Sequence, residues 1–243
     1  MPNMKEEHKY RKLISAKGLV RSVIIEKETD ILLLADRSLT QLAHKSLQKV
    51  RTQLEEYIKK DPKFETTFSP HRISLFSPPI IRKMAKAAKR TKVGPMAAVA
   101  GAIAEEVGLE LTKYSGEVIV ENGGDIFLKI KKPRKIGIYA GKSPFSENIA
   151  IEIKPEETPL GICTSSGTVG HSVSFGAADA VVVTSKSTAL ADAAATAIGN
   201  VVKDIKTIQD GLDLAKSIKG LYGVLIIKGN NIGAYGNLEI VPI

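Results

Sequence analysis

One cysteine, Cys163, stands alone in 243 residues, so no disulfide can form within the chain. Tryptophan is absent and aromatic residues make up only 5% of the sequence. The two basic runs, Arg82–Lys92 and Lys129–Lys135, therefore lack the stacking platforms that single-stranded nucleic acid uses, with Phe127 the one aromatic nearby. No long apolar stretch occurs either. The most apolar run, residues 97–104, is alanine-rich and far too short to cross a bilayer. The first twelve residues are polar, with no hydrophobic segment behind them to form a signal peptide. These absences predict a cytoplasmic protein without a membrane segment. The formal net charge of +9 is read as solvated helix and hairpin surface, with nucleic acid the minority partner.

What is present is an ordinary globular composition, 43% hydrophobic and 25% charged, and length enough for one large domain over residues 1–243 or for two intertwined lobes. Alternation predicts strands at 22–26 and 31–34 about a turn at Glu28-Thr29-Asp30. A long helix capped by Ser38 follows, then a proline-rich loop over 62–79. Ser77 with Pro78 predicts a second helix, and Gly94-Pro95 the start of a third running to Leu111. Short β runs come next: 118–120, 126–130, 136–140, 149–153 and 180–184. Ser187 opens a helix to about Lys203, the pair Thr207 and Asp210 opens another, and a hairpin of 223–228 with 232–240 ends the chain. This order predicts an α+β fold.

Three segments could carry chemistry. On the helix after Ser187, Thr188, Asp192, Thr196 and Asn200 form one face by i, i+4 spacing, with no lysine or glutamate from Leu190 to Val202. A lone carboxylate among small polar side chains suits a face covered by protein or ligand. Asp192 and Thr196, one turn apart, could share a hard cation such as magnesium, or Asp192 could help cap the start of its own helix with Thr196 as tolerated packing. Asn122-Gly123-Gly124-Asp125 is either a hairpin turn or a loop whose backbone approaches a ligand. Thr164-Ser165-Ser166-Gly167, continuing to His171, could wrap phosphate oxygens with amides and hydroxyls, His171 serving as base or donor, or could be a plain surface loop. Complete P-loop, serine-elbow and zinc-ligand patterns are missing.

Together and in order, Val93–Gly101, Val120–Asp125, Thr164–Gly167 and Ala191–Thr196 resemble the ApbE-like superfamily, known for FAD:protein FMN transferases. A branch of that superfamily resembles nearly the whole chain. The resemblance implies two related α+β lobes with a nucleotide in the cleft between them. It implies magnesium on Asp192, Thr196 and a carbonyl near Pro95. FAD or FMN would lie beside Asn122, Gly123, Gly124, Asp125, Thr164, Ser165, Ser166 and Gly167, with His171 in the transfer role. The implied partner is a small-molecule nucleotide; a homo-oligomer is left open. Two departures count against ordinary FMN transfer. Met96 stands where the family has a lysine, and Ser172–Gly176 replaces an Asp-Pro-Arg-Thr-Gly run. The alternative is a non-catalytic binding or regulatory protein on the same fold.

Overall fold

A computed structural model describes residues 9–167 and 176–243. After a 3-10 turn at Lys9–Leu13 come β1 (Val20–Glu26) and β2 (Thr29–Ala35), then α1 (Thr40–Lys60), the short α2 (Lys63–Thr66) and α3 (Pro79–Thr91). A 3-10 turn, Pro95–Ala98, leads into α4 (Val99–Leu111). Strands β3 (Val118–Asn122), β4 (Asp125–Lys129), β5 (Arg134–Gly137), β6 (Ile149–Ile153), β7 (Leu160–Ser165) and β8 (Ala180–Ser185) follow. The chain closes with α5 (Thr188–Val201), α6 (Ile208–Ser217), β9 (Leu221–Lys228), β10 (Asn231–Gly236) and β11 (Glu239–Pro242).

Eight strands form one antiparallel sheet in the order β1-β2-β3-β4-β7-β8-β9-β10, and β11-β6-β5 form a second. Strand periodicity of two divides the large sheet into two apolar faces. Ile31, Leu33, Val118, Val120 and Phe127 pack beneath the helices. Leu32, Leu34, Ile119, Leu128, Leu160, Ile162, Val182 and Leu225 point the other way, onto Ile136, Ile151 and Ile153 of the small sheet. A third cluster joins Cys163, Val181, Val183, Val224 and Ile226 to α5 and α6. The large sheet is thus buried on both faces through its centre, which is why β3 and β8 read as continuous apolar runs.

Helices α4 and α5 lie on one face, α4 over β3 and β4, α5 over β7 and β8. Glycines set the contact distances. A Cβ on Gly108 would stand 2.0 Å from the Phe127 ring, so α4 rests directly on that ring. A Cβ on Gly161 would stand 2.4 Å from Thr188 Cα, which fixes where α5 starts above β7.

Several local expectations shift. The first turn is Lys27-Glu28, with Lys27 at φ 54°, so β2 begins at Thr29. Neither Ser38 nor Ser77 caps a helix: α1 has Leu39 and α3 has Pro78 at the N-cap, neither with a side-chain bond. The Thr207 hydroxyl turns back to accept from Lys203 and Asp204 N–H rather than capping α6. The third helix starts as a 3-10 turn. The final hairpin turns at Gly229-Asn230, and its second strand ends at Gly236, at φ 82°, after which β11 joins the small sheet. Strand β7, Leu160–Ser165, lies outside the β runs read from the sequence.

Candidate functional site

Ser187 caps α5, its hydroxyl accepting from Leu190 N–H at 3.4 Å. The next contacts come from α4. Glu105 Oε2 accepts from Ala189 N–H at 3.1 Å and from the Ser187 hydroxyl at 3.2 Å. In return Asp192 of α5 serves the start of α4, its Oδ2 accepting from Gly101 N–H at 2.8 Å and the carboxylate also bonding Ala100 N–H. The first amides of a helix have no partner within it, and the helix dipole favours negative charge there. The two helices thus cap each other. A Cβ on Gly101 would lie 2.6 Å from Thr188 O and 2.7 Å from Asp192 Cβ, so only glycine permits this approach.

The two capping carboxylates differ in what balances them. Glu105 Oε1 is paired with Lys83 Nζ at 2.9 Å. Asp192 has no Lys or Arg ion pair among the described residues; instead another carboxylate, Asp125, lies within reach of its field. Burial drives the Asp192 carboxyl up from its ordinary range to about 7, against the lowering influence of the Gly101 and Ala100 amides. Burial raises the Asp125 carboxyl well above its ordinary value too, and the charges of Asp192 and Glu121 add to the rise, while Cys163 Sγ–H and Thr164 N–H donate to it. The Cys163 thiol is raised by burial and by both aspartates, so it is a proton donor here rather than a nucleophile.

Asn122 and Asp125 flank a two-residue turn in which Gly123 and Gly124 have φ 63° and 97°. The hairpin-turn reading is therefore what the backbone adopts. Asn122 Nδ2 reaches across to Ala100 O at 3.1 Å, bringing the turn to the start of α4. Behind it, Glu121 is fully buried. Its Oε1 accepts from Gly124 N–H at 2.8 Å and its Oε2 pairs with Arg11 Nε at 2.5 Å. Arg11 also holds Asp30 Oδ1 at 3.0 Å. Removing one partner of such a buried pair typically costs about 3–5 kcal/mol.

Thr164 and Ser165 end β7 and sit partly buried, with Thr164 O 4.0 Å from where a Gly124 Cβ would lie. Ser166 is partly buried and Gly167 exposed. Gly167 and Gly176 have no room for side chains: a Cβ on Gly167 would meet Gly176 O at 2.3 Å, and one on Gly176 would meet Gly199 O at 1.7 Å. The base of the following segment is so fixed against the C-terminal half of α5. His171 lies outside the described residues. Pro95 is buried, and its 3-10 turn packs on α5, which carries Asp192 and, one turn on, the partly buried Thr196.

Residues 11–218 match a family model described as AbpE bacteria. The chain belongs to this family. Within the ApbE-like superfamily it is 41% identical over 216 residues to a UPF0280 protein of Methanocella arvoryzae, covering 87% of this chain and 86% of the relative. It is 44% identical over 221 residues to one of Methanocaldococcus jannaschii, covering 88% and 90%. Among solved structures, the flavinyl transferase ApbE of Pseudomonas stutzeri is similar with TM-score 0.59 at 14% identity, over 89% of this chain and 94% of that one. The flavin transferase ApbE of Vibrio cholerae gives 0.59 at 12%, over 89% and 96%. At such identity the likeness establishes the α+β ApbE-like fold.

In this ApbE-like chain, then, Asn122, Asp125, Thr164 and Asp192 converge at the seam between α4, α5, β4 and β7. Four contributors were not named as site residues from the sequence: Glu121, Arg11, Cys163 and the Ala100–Gly101 amides, although Glu121, Ala100 and Gly101 lie within the motifs that carry the resemblance. A glutamate directly after the apolar run Val118–Val120, and still within β3, was a signal for the first. The others depend on tertiary contacts that no spacing reveals. Among the described residues no helix is long and apolar enough to cross a membrane, and no three His, Cys, Asp or Glu side chains stand ready as a metal cluster.

Proposed function

We propose that this ApbE-like protein binds a flavin nucleotide, FAD or FMN, together with magnesium, at the α4–α5 seam. One observation carries the reading: two carboxylates do the same capping work, yet Glu105 is balanced by Lys83 whereas Asp192 faces Asp125. A divalent cation is the missing counter-charge. The donors that fit it are hard oxygens, the Asp192 carboxylate, the Thr196 hydroxyl and the Pro95 carbonyl, which is the set magnesium prefers. When bound, the cation would neutralise phosphate charge on the nucleotide. Asn122, Gly123, Gly124 and Asp125 would line the nucleotide side, with Arg11 and Glu121 holding their turn from behind. Thr164, Ser165, Ser166 and Gly167 would offer hydroxyls and amides, and His171 a proton-transfer group.

The flavin in this reading rests on fold likeness to proteins titled flavin transferases. Met96 and Ser172–Gly176 remove charged groups that the resemblance would place near phosphates, so the expected activity is a transferase chemistry other than FMN transfer to threonine. The second reading, a non-catalytic binding protein, is favoured by the same substitutions. The small molecules released on denaturing purified protein separate the outcomes: a flavin supports the proposal, and release of a different nucleotide or of none contradicts the flavin assignment.

A further inference from the structure

Strand β1 is one end of the eight-stranded sheet, and its outer edge has no neighbour among the described residues. Its side chains are unusually apolar for such a position: Val20 is 44% exposed, Val23 50% and Ile25 63%. An apolar edge of this kind is a template for strand addition unless proline, a bulge or charged side chains blunt it; Val20–Glu26 has no proline and no bulge, and its charged side chains, Arg21 and Glu26, leave the centre Ser22–Ile25 uncharged.

The register determines which backbone groups are available. Glu26 and Thr29 flank the two-residue turn and form the hydrogen-bonded pair of the hairpin, so Ser22 with Leu33 and Ile24 with Ile31 are hydrogen-bonded pairs as well. The N–H and C=O groups of the alternate residues, Arg21, Val23 and Ile25, therefore point outward. These three also project their side chains on one face of the sheet, the face of Leu32 and Leu34.

We infer that the β1 edge is a self-complementary docking surface for a second copy of this chain, joining the two sheets about a two-fold axis through Val23. A perpendicular two-fold keeps each sheet face continuous, so it pairs only residues whose numbers sum to an even value. Centred on Val23, it places Val23 against Val23 of the partner subunit and Arg21 against Ile25 of the partner subunit. On the other face Ser22 meets Ile24 of the partner subunit, and Val20 meets Glu26 of the partner subunit. No like charges fall opposite each other, which is the requirement for cross-strand pairing. The outward amides and carbonyls of Arg21, Val23 and Ile25 coincide with those of the partner in hydrogen-bonding register. A two-fold contact uses the same patch on both subunits, and the register of this strand meets that condition.

Sedimentation equilibrium of the full chain tests the mass, and cysteine cross-linking tests the register. The wild type is expected at twice its 26.1 kDa chain mass. Val23→Lys sets two ammonium groups against each other and is expected to return the monomer mass, with its far-UV circular dichroism spectrum unchanged because the site is half exposed. Under mild oxidation Val23→Cys is expected to form a cross-linked dimer, Cα atoms of such a pair lying about 5.5 Å apart. Arg21→Cys alone should not cross-link, but its mixture with Ile25→Cys should. Native Cys163 is fully buried and takes no part. A wild-type monomer, a dimer that survives Val23→Lys, or Arg21→Cys cross-linking to itself as readily as Val23→Cys would each overturn the inference.

Discussion

Asp192 is where the stability and the proposed function of this chain meet. Its carboxyl rises from 3.8 to about 7 on folding, chiefly through burial. A carboxyl raised on folding binds more protons in the native state than in the unfolded state between those two values. Stability contributed by this group is therefore full below about pH 4 and is lost as pH rises toward 7. Asp192→Asn keeps the amide-accepting oxygen and removes the titration. Compared in urea at several pH values, the wild type should lose on the order of 2 kcal/mol relative to Asp192→Asn across this window, after allowing for solvent at a partly buried group. Parallel stability profiles would show that Asp192 titrates as in the unfolded chain. The lone carboxylate on an uncharged helix face was legible in the sequence. Its partner was not, because the Gly101 amide lies 91 positions away.

At the scale of elements, reciprocal capping explains why α4 and α5 are close neighbours with glycine between them. Gly101→Ala brings a methyl group within 2.6 Å of the Thr188 carbonyl, and backbone cannot yield as a flexible side chain would. The expected cost is about 1–3 kcal/mol, read from urea unfolding, with loss of the Gly101–Asp192 bond as the helices separate. An unchanged midpoint would mean that the seam is looser than its geometry indicates. Most elements could be read from periodicity: long amphipathic α1, the apolar β3 and β8, and α5 behind Ser187. Strand β7 was hidden because Leu160–Ser165 includes a glycine and runs into hydroxylic residues that look like loop. The caps assigned to Ser38, Ser77 and Thr207 failed for a common reason. None of the three hydroxyls meets the first amides of its helix: α1 and α3 begin one residue later, behind Leu39 and Pro78, and Thr207 takes two amides upstream of its own helix.

For the whole molecule, the three-layer arrangement puts the small sheet on one side of the large one and the candidate site on the other. The ApbE-like fold is kept, while the seam carries an aspartate pair whose Asp192 has no Lys or Arg ion pair among the described residues. The proposal that a cation supplies the missing charge is most directly tested by thermal melting with magnesium, in the presence of FAD, for the wild type, Asp192→Asn and Thr196→Val. A ligand that binds only the native state at about 100 times its Kd adds about 2.7 kcal/mol. For a chain of this size that corresponds to about 5–10 °C in Tm. The account predicts such a rise for the wild type, none for Asp192→Asn and a reduced one for Thr196→Val. No rise in the wild type, or an equal rise in Asp192→Asn, would contradict a cation at this seam and leave Asp192 as a helix cap alone.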